Sequence, residues 1–140
     1  MQISDEQERQ RVLDPARSFI VQAPAGSGKT ALLIQRYLRL LAYVDAPEEI
    51  MAITFTRKAA AEMRFRILAA LDASAQLVEA ETAYERLNRE LAAAAQARDR
   101  EMGWQIAENP ERLRIQTIDS LCASLTRQMP LLSSFGAQPE

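Results

Sequence analysis

Short β-branched runs and longer helical periodicities alternate along this chain. From Asp5 to Arg17 the residues are polar and charged with scattered aliphatics, which predicts a short helix ending near Pro15. Ser18-Phe19-Ile20-Val21-Gln22 is an apolar run and predicts a strand. A glycine-rich turn follows, and then Ala31 to Val44, an aliphatic stretch free of Pro and Gly, predicts a helix. Ile50 to Phe55 predicts a second buried strand. The helix after it spans about Arg57 to Leu71, with Ala60, Met63, Ile67 and Leu71 three and four residues apart. Strand, helix and strand in this order predict a parallel sheet, because parallel neighbours need a long crossover.

The segment from Ser74 to Arg100 is rich in Ala, Glu and Arg, with Leu77, Tyr84, Leu87 and Leu91 along one side, and predicts one long helix. Asn109-Pro110 breaks it. Leu113 to Ile118 predicts a third strand and Ser120 to Met129 a helix halted before Pro130, while the tail from Leu131 to Glu140 predicts no element. No internal repeat is visible.

The chain has 140 residues, 17 Lys plus Arg against 19 Asp plus Glu, and a net charge of −2. That balance excludes a protein gripping nucleic acid over its whole surface, so any such contact is local. One cysteine, Cys122, and no histidine exclude an intramolecular disulfide, a Cys-based zinc site and Ser/His/Asp catalysis. Cys122 falls on an apolar helix face and reads as packing. The first residues are charged where a secretory signal needs an apolar core, and no apolar run reaches the roughly 18 residues of a membrane span; the expectation is a cytoplasmic protein with no membrane partner.

Ala23-Pro24-Ala25-Gly26-Ser27-Gly28-Lys29-Thr30 matches a phosphate-binding P-loop with Ala at the place of the first Gly. Gly26 and Gly28 let main-chain N–H groups turn inward, and the helix beginning at Lys29 presents its positive end to phosphates. Lys29 then reaches the β and γ phosphates of ATP, and the Thr30 hydroxyl holds Mg2+. An apolar run before the loop and a helical pattern after it supply the context such a motif demands. A P-loop alone does not separate kinases, GTPases, transporters and motors.

Further blocks narrow the choice. Ala23 to Thr30 resembles motif I of superfamily 1 helicases, and Ile53 to Met63, ITFTRKAAAEM, resembles motif Ia of the UvrD/Rep family, with Arg57 where that family often has Asn. Arg114 to Cys122, RIQTIDSLC, is similar to the family's TIHSFC-like motif, with Asp119 in place of the usual His. Ile3-Ser4-Asp5-Glu6-Gln7 resembles its Gln motif, in which Gln7 would read the adenine edge. The spacing of the last block and the helical segment before it look most like the AddA/RecB branch, the exonuclease V type of double-strand-break helicase-nuclease.

The resemblance implies an α/β fold: an incomplete RecA-like P-loop NTPase sheet with flanking helices, residues 1–71 and 112–140 belonging to it and 72–111 forming a helical insert. It implies ATP and Mg2+ as cofactors and Lys29 as the catalytic residue. Gln7, Ala23 to Thr30 and Arg36 would bind nucleotide, although Ala31 stands where a basic residue is frequent and an exposed helix residue is the plainer reading of Arg36. Thr54, Phe55, Thr56, Arg57, Thr117 and Asp119 would bind single-stranded DNA at the carboxyl ends of parallel strands, where ligands gather. An aromatic ring among hydroxyls and cations suits that ligand.

On residue chemistry alone Phe55 reads better as core, with Arg57 and Lys58 as solvated charges; the resemblance reverses that weighting. Asp119 reads first as an N-cap, then as an altered DNA contact, and last as a magnesium-linked acid. The remaining family machinery, an acidic DExQ-like motif, a water-positioning glutamate, an arginine finger and a second RecA-like domain, does not occur in these residues. On this reading they form the front part of a longer helicase chain, and its further partner is a nuclease subunit. They bind ATP weakly, do not unwind DNA by themselves and self-associate. A small-molecule P-loop kinase and a non-catalytic nucleotide-binding module are the competing classes.

Overall fold

The computed structural model describes residues 2–21, 29–73 and 82–128. Helix α1 (Gln2–Val12) stops short of Pro15. Leu13 turns into the core, only 3% exposed, and the Asp14 carboxylate accepts the Ala16 N–H at 3.0 Å, so Pro15 lies in a turn. Helix α2 (Lys29–Leu41) buries Leu32, Ile34, Gln35, Tyr37, Leu38 and Leu41. These positions recur at helical spacing and make one continuous stripe.

Strand β1 (Met51–Thr54) leads into helix α3 (Arg57–Ala73); helix α4 (Ala83–Met102) precedes strand β2 (Arg114–Thr117), which runs directly into helix α5 (Ile118–Gln128). The two strands pair in parallel with Met51 opposite Arg114 and Thr54 opposite Thr117, as the strand-helix-strand pattern predicts. Two strands bury little by themselves, so the pair depends on the helices packed against it. α3 lies on both strands and α4 packs on α2 and α3. Leu38, Leu41, Ile67, Leu91, Ile106 and Leu113, all under 2% exposed, bring these elements into one hydrophobic cluster. Each such side chain stabilises the fold by about 1.5 to 3 kcal/mol through lost apolar exposure.

The long helix expected from residue 74 is observed from Ala83; residues 74–81 lie outside the described residues. Its start is chemically marked. The Thr82 hydroxyl accepts the Glu85 N–H at 3.1 Å, and the Glu85 carboxylate accepts the Thr82 N–H at 3.3 Å, satisfying two otherwise orphaned donors. At the other end Gly103, with φ of +69°, turns the chain out of the helix. Of the expected stripe, Leu91 is buried and Leu87 half-buried, whereas Tyr84 is exposed.

One expected strand is absent. Ser18 to Val21 forms no strand, Ile20 is 90% exposed, and Gln22 lies outside the described residues. A strand needs a hydrogen-bonded neighbour, and Ser18 to Val21 pairs with neither β1 nor β2. The segment is held from the side instead, by Arg36 of α2. One of its terminal nitrogens donates to the Val12 carbonyl and to that of Asp14 at 3.2 Å, and the other to that of Arg17 at 2.8 Å. Its guanidinium also lies over the Phe19 ring, 5.5 Å from the centroid.

Polar contacts fasten α2 to α4 and hold the loop that leads into β1. Gln35, buried in α2, donates to the Asn88 side chain of α4 at 2.7 Å. The loop between α2 and β1 is clasped by Arg98, which donates to the Val44 carbonyl at 3.0 Å, and by Trp104, whose indole N–H donates to the Asp45 carbonyl at 3.0 Å. Arg112 reaches both carboxylate oxygens of Glu48, at 2.7 and 3.2 Å. Burial pushes the Tyr37 phenol up to about 12, with the nearby Arg114 main chain opposing the rise, and the hydroxyl has no hydrogen-bond partner among the described residues.

The hydrogen bond from Arg112 holds the Glu48 carboxyl below its ordinary value of 4.5. A folded-state value lowered in this way makes the pair's contribution fully present above the unfolded value and lost as pH falls through the folded one. Glu48→Gln therefore flattens the pH dependence of stability as pH falls through and below the ordinary carboxylate value of 4.5. The effect is small because the pair is partly exposed. Urea melts of both proteins across that window measure it, and parallel pH profiles would contradict the assignment.

Candidate nucleotide site and nucleic-acid groove

Lys29 and Thr30 open α2, and both are exposed. The first turn of α2 carries no acidic residue. The partial positive charge at its start is thus not neutralised by an acidic side chain of its own first turn, a local condition that suits phosphate. Ala23, Pro24, Ala25, Gly26, Ser27 and Gly28 lie outside the described residues.

Beside Lys29 is a cavity of about 210 Å³ walled by Val12, Phe19, Val21, Leu32, Leu33 and Arg36. The exposed-residue reading of Arg36 is overturned: it is half-buried, and its terminal nitrogens bond carbonyls at the end of α1 and just after it. Arg36 therefore shapes the wall of the cavity and ties α1 to the helix that Lys29 begins. Gln7 is exposed on α1 and does not line this cavity.

A second site forms where the two strands end. Because Thr54 and Thr117 are register partners, the junction between β1 and α3 lies beside the start of α5. Phe55 is 90% exposed, which overturns the core reading. The hydroxyls on either side of it serve the fold. The Thr54 hydroxyl donates to the Thr56 carbonyl at 3.0 Å, and the Thr56 hydroxyl accepts the Ala59 N–H at 3.1 Å, capping α3. This turn leaves Phe55 and Arg57 projecting from it.

Phe55, Arg57, Thr117, Asp119, Ser120, Ala123 and Arg127 line one groove of about 360 Å³. Thr54 and Thr56 do not line it. The expectation that Asp119 caps α5 is corrected by the hydrogen bonds: the helix begins two residues earlier than expected, at Ile118, and Thr117 caps it. The Thr117 hydroxyl accepts the Ser120 N–H at 3.1 Å and donates to the Ser120 hydroxyl at 2.8 Å. A threonine at the end of a strand has the extended backbone that an N-cap needs, so it takes the position ahead of Asp119. Asp119 then sits in the first helical turn, where a carboxylate is favoured by the dipole.

Arg127 and Ala123 are not among the expected site residues. The signal is present in the sequence, since Asp119, Ala123 and Arg127 are spaced by four and share a helix face. The packing expected of Cys122 is also corrected: it is exposed on α5. A helix packed on a single side at the end of a two-stranded sheet leaves much of its circumference open, and none of α5 is fully buried.

Among the described residues no group of three or more His, Cys, Asp and Glu side chains is placed to hold a metal ion, and no helix is long and apolar enough to cross a membrane. Thr30 is exposed, and its hydroxyl could supply one hard oxygen to a magnesium ion whose other ligands are phosphate and water.

The chain is 48% identical over 73 residues to DNA helicase II of Haemophilus influenzae, covering 51% of this chain and 10% of that protein. It is 41% identical over 70 residues to an ATP-dependent helicase/nuclease subunit of Lactobacillus helveticus, covering 50% of this chain and 6% of that protein. Over 112 residues it is 38% identical to the ATP-dependent DNA helicase UvrD2 of Mycobacterium bovis, covering 75% of this chain and 16% of that protein. It thus spans a small fraction of the length of these relatives. No solved structure gives a significant match. The family model for the UvrD/REP helicase N-terminal domain matches residues 4–136, and the chain belongs to that family.

Proposed function

We propose that this chain is the ATP-binding front part of an ATP-dependent DNA helicase or translocase that couples ATP hydrolysis to movement on single-stranded DNA, in a double-strand-break repair helicase-nuclease of the AddA/RecB, exonuclease V type. Family membership supports the helicase class. The observation that carries the DNA part is Phe55, 90% exposed at the carboxyl ends of paired parallel strands, in one groove with Arg57 and Asp119. An aromatic ring fully offered to solvent loses hydrophobic free energy unless a ligand covers it, and a base does so by stacking, worth about 1 to 3 kcal/mol. Arg57 supplies the phosphate contact beside it.

On this reading residues 1–71 and 112–140 are parts of a RecA-like ATP-binding domain and 72–111 its helical insert. Ala23 to Gly28 cradle the phosphates with main-chain amides, Lys29 neutralises charge on the β and γ oxygens, and Thr30 holds Mg2+. When bound, the metal supplies further charge stabilisation at the transferred phosphoryl group. Gln7 reads the adenine edge. Arg36 acts on nucleotide by fixing the cavity wall next to Lys29, its own terminal nitrogens being engaged with main-chain carbonyls. The exposed apolar side chains of Ile20, Ile53, Ile118 and Leu125 are covered by the rest of the helicase chain, and in the isolated 140 residues they drive self-association. The protein works in the cytoplasm, and its further partner is a nuclease subunit.

ATP turnover by the longer protein that contains these residues tests the reading. Single-stranded DNA is expected to stimulate it, and Lys29→Ala to lower kcat by roughly 100-fold or more through loss of charge stabilisation at the transferred phosphate. Stimulation by a small phosphate acceptor instead of DNA would point to a kinase. Turnover that ignores DNA and survives Lys29→Ala would defeat the proposal.

A further inference from the structure

The groove at the strand ends is longer than the expected site. Four of the six residues expected to bind DNA line it, and all four lie at the β1–α3 and β2–α5 junctions. The rest of its lining runs up α5: Ser120, Ala123 and Arg127. Asp119, Ala123 and Arg127 follow one another every four residues, so Arg127 stands about 12 Å further along the helix axis than Asp119. Ala123, between them, is the smallest side chain on that face and leaves the passage clear.

The charges along this face differ from those of a simple anion site. The start of a helix attracts phosphate through its free N–H groups, but α5 carries the Asp119 carboxylate in its first turn. The Ser120 N–H is also taken by the Thr117 hydroxyl, at 3.1 Å. A phosphate seated at this helix start would face a like charge and meet one donor already engaged. Arg127 is exposed, and its guanidinium forms no ion pair or side-chain hydrogen bond with the other described residues. The cations available to a strand in the groove are thus Arg57 and Arg127, with an anion between them along the lining.

We infer that Arg127 is a second phosphate-binding residue for single-stranded nucleic acid, two helical turns beyond Asp119, and that Asp119 faces sugar or base and keeps phosphates off the start of α5. The inference rests on the proposed single-strand groove and extends it along α5. A single strand then enters with one phosphate at Arg57 and a base on Phe55, passes Asp119 with its backbone turned away, and returns a phosphate to Arg127.

Fluorescence anisotropy of a labelled oligo-dT with the 140-residue chain, measured across a series of salt concentrations, tests this. Arg57→Ala and Arg127→Ala are each expected to weaken binding several-fold at low salt and to reduce the slope of log affinity against log salt by about 0.7, the value for one phosphate contact on a single strand. Arg127→Lys restores both quantities, since it retains the charge. Phe55→Ala weakens binding and leaves the slope unchanged. Asp119→Asn strengthens it. Arg100→Ala, the loss of an exposed charge on α4 outside the groove, changes neither by as much. If the unaltered chain binds oligo-dT and Arg57→Ala alone alters the slope, the Arg127 assignment is overturned while the groove stands. If the unaltered chain does not bind oligo-dT at all, the groove reading and the inference fall together. Circular dichroism of each variant separates lost contacts from lost folding.

Discussion

The parallel pairing of Met51–Thr54 with Arg114–Thr117 is the constraint on which the rest depends. Parallel strands cannot be joined by a tight turn, so the chain between them must leave the sheet, cross it and come back. Here the crossover contains α3 and α4, and both return their apolar faces to the same cluster as α2. The pair is short, and four residues on each side cannot hold it without the helices. In return, the register sets Thr54 beside Thr117 and makes neighbours of two junctions far apart in sequence. Phe55 and Arg57 meet Asp119 and Arg127 for no other reason.

The polar contacts divide in the same way. At one end of the strands Arg98, Trp104 and Arg112 bind the main chain and Glu48 of the loop between α2 and β1, which fixes the path of the chain into β1. At the other end the threonines are spent on local geometry: Thr56 caps α3 and Thr117 caps α5. Capping by these residues frees the larger side chains between and after them to face outward. A rigid scaffold with projecting aromatic and cationic groups is how a loop at the end of a sheet comes to carry binding. Arg36 plays the matching part beside Lys29, holding the segment after α1 against the helix that Lys29 begins.

Much of this is legible in the residues. β1, β2 and four of the helices stand where periodicity places them, within a few residues, because their apolar spacing is set by the core they fill. Other readings fail for physical reasons that composition does not carry. Ser18 to Val21 has the composition of a strand, yet a strand exists only with a partner, and that is a fact of tertiary structure. Asp119 has the chemistry of a helix cap, but the residue two before it has the extended backbone and takes the position. Arg36 has the pattern of an exposed helix residue, and only the path of the chain after α1 reveals three carbonyls within its reach. Phe55 is ambiguous for the opposite reason: an apolar residue after a buried strand belongs by default to the core, and only its exposure decides. The spacing of Arg127 from Asp119 is visible throughout but has no meaning until the groove joins them.

On the proposed reading, the register of β1 with β2 builds a groove in which Phe55 stacks on a base of single-stranded DNA. Photo-crosslinking of a bromodeoxyuridine-substituted single strand to the chain, followed by peptide mapping, tests it most directly. The adduct is expected to lie on the peptide containing Phe55 and to be lost with Phe55→Ala. A crosslink that maps to α4, or one that persists undiminished in Phe55→Ala, would contradict it.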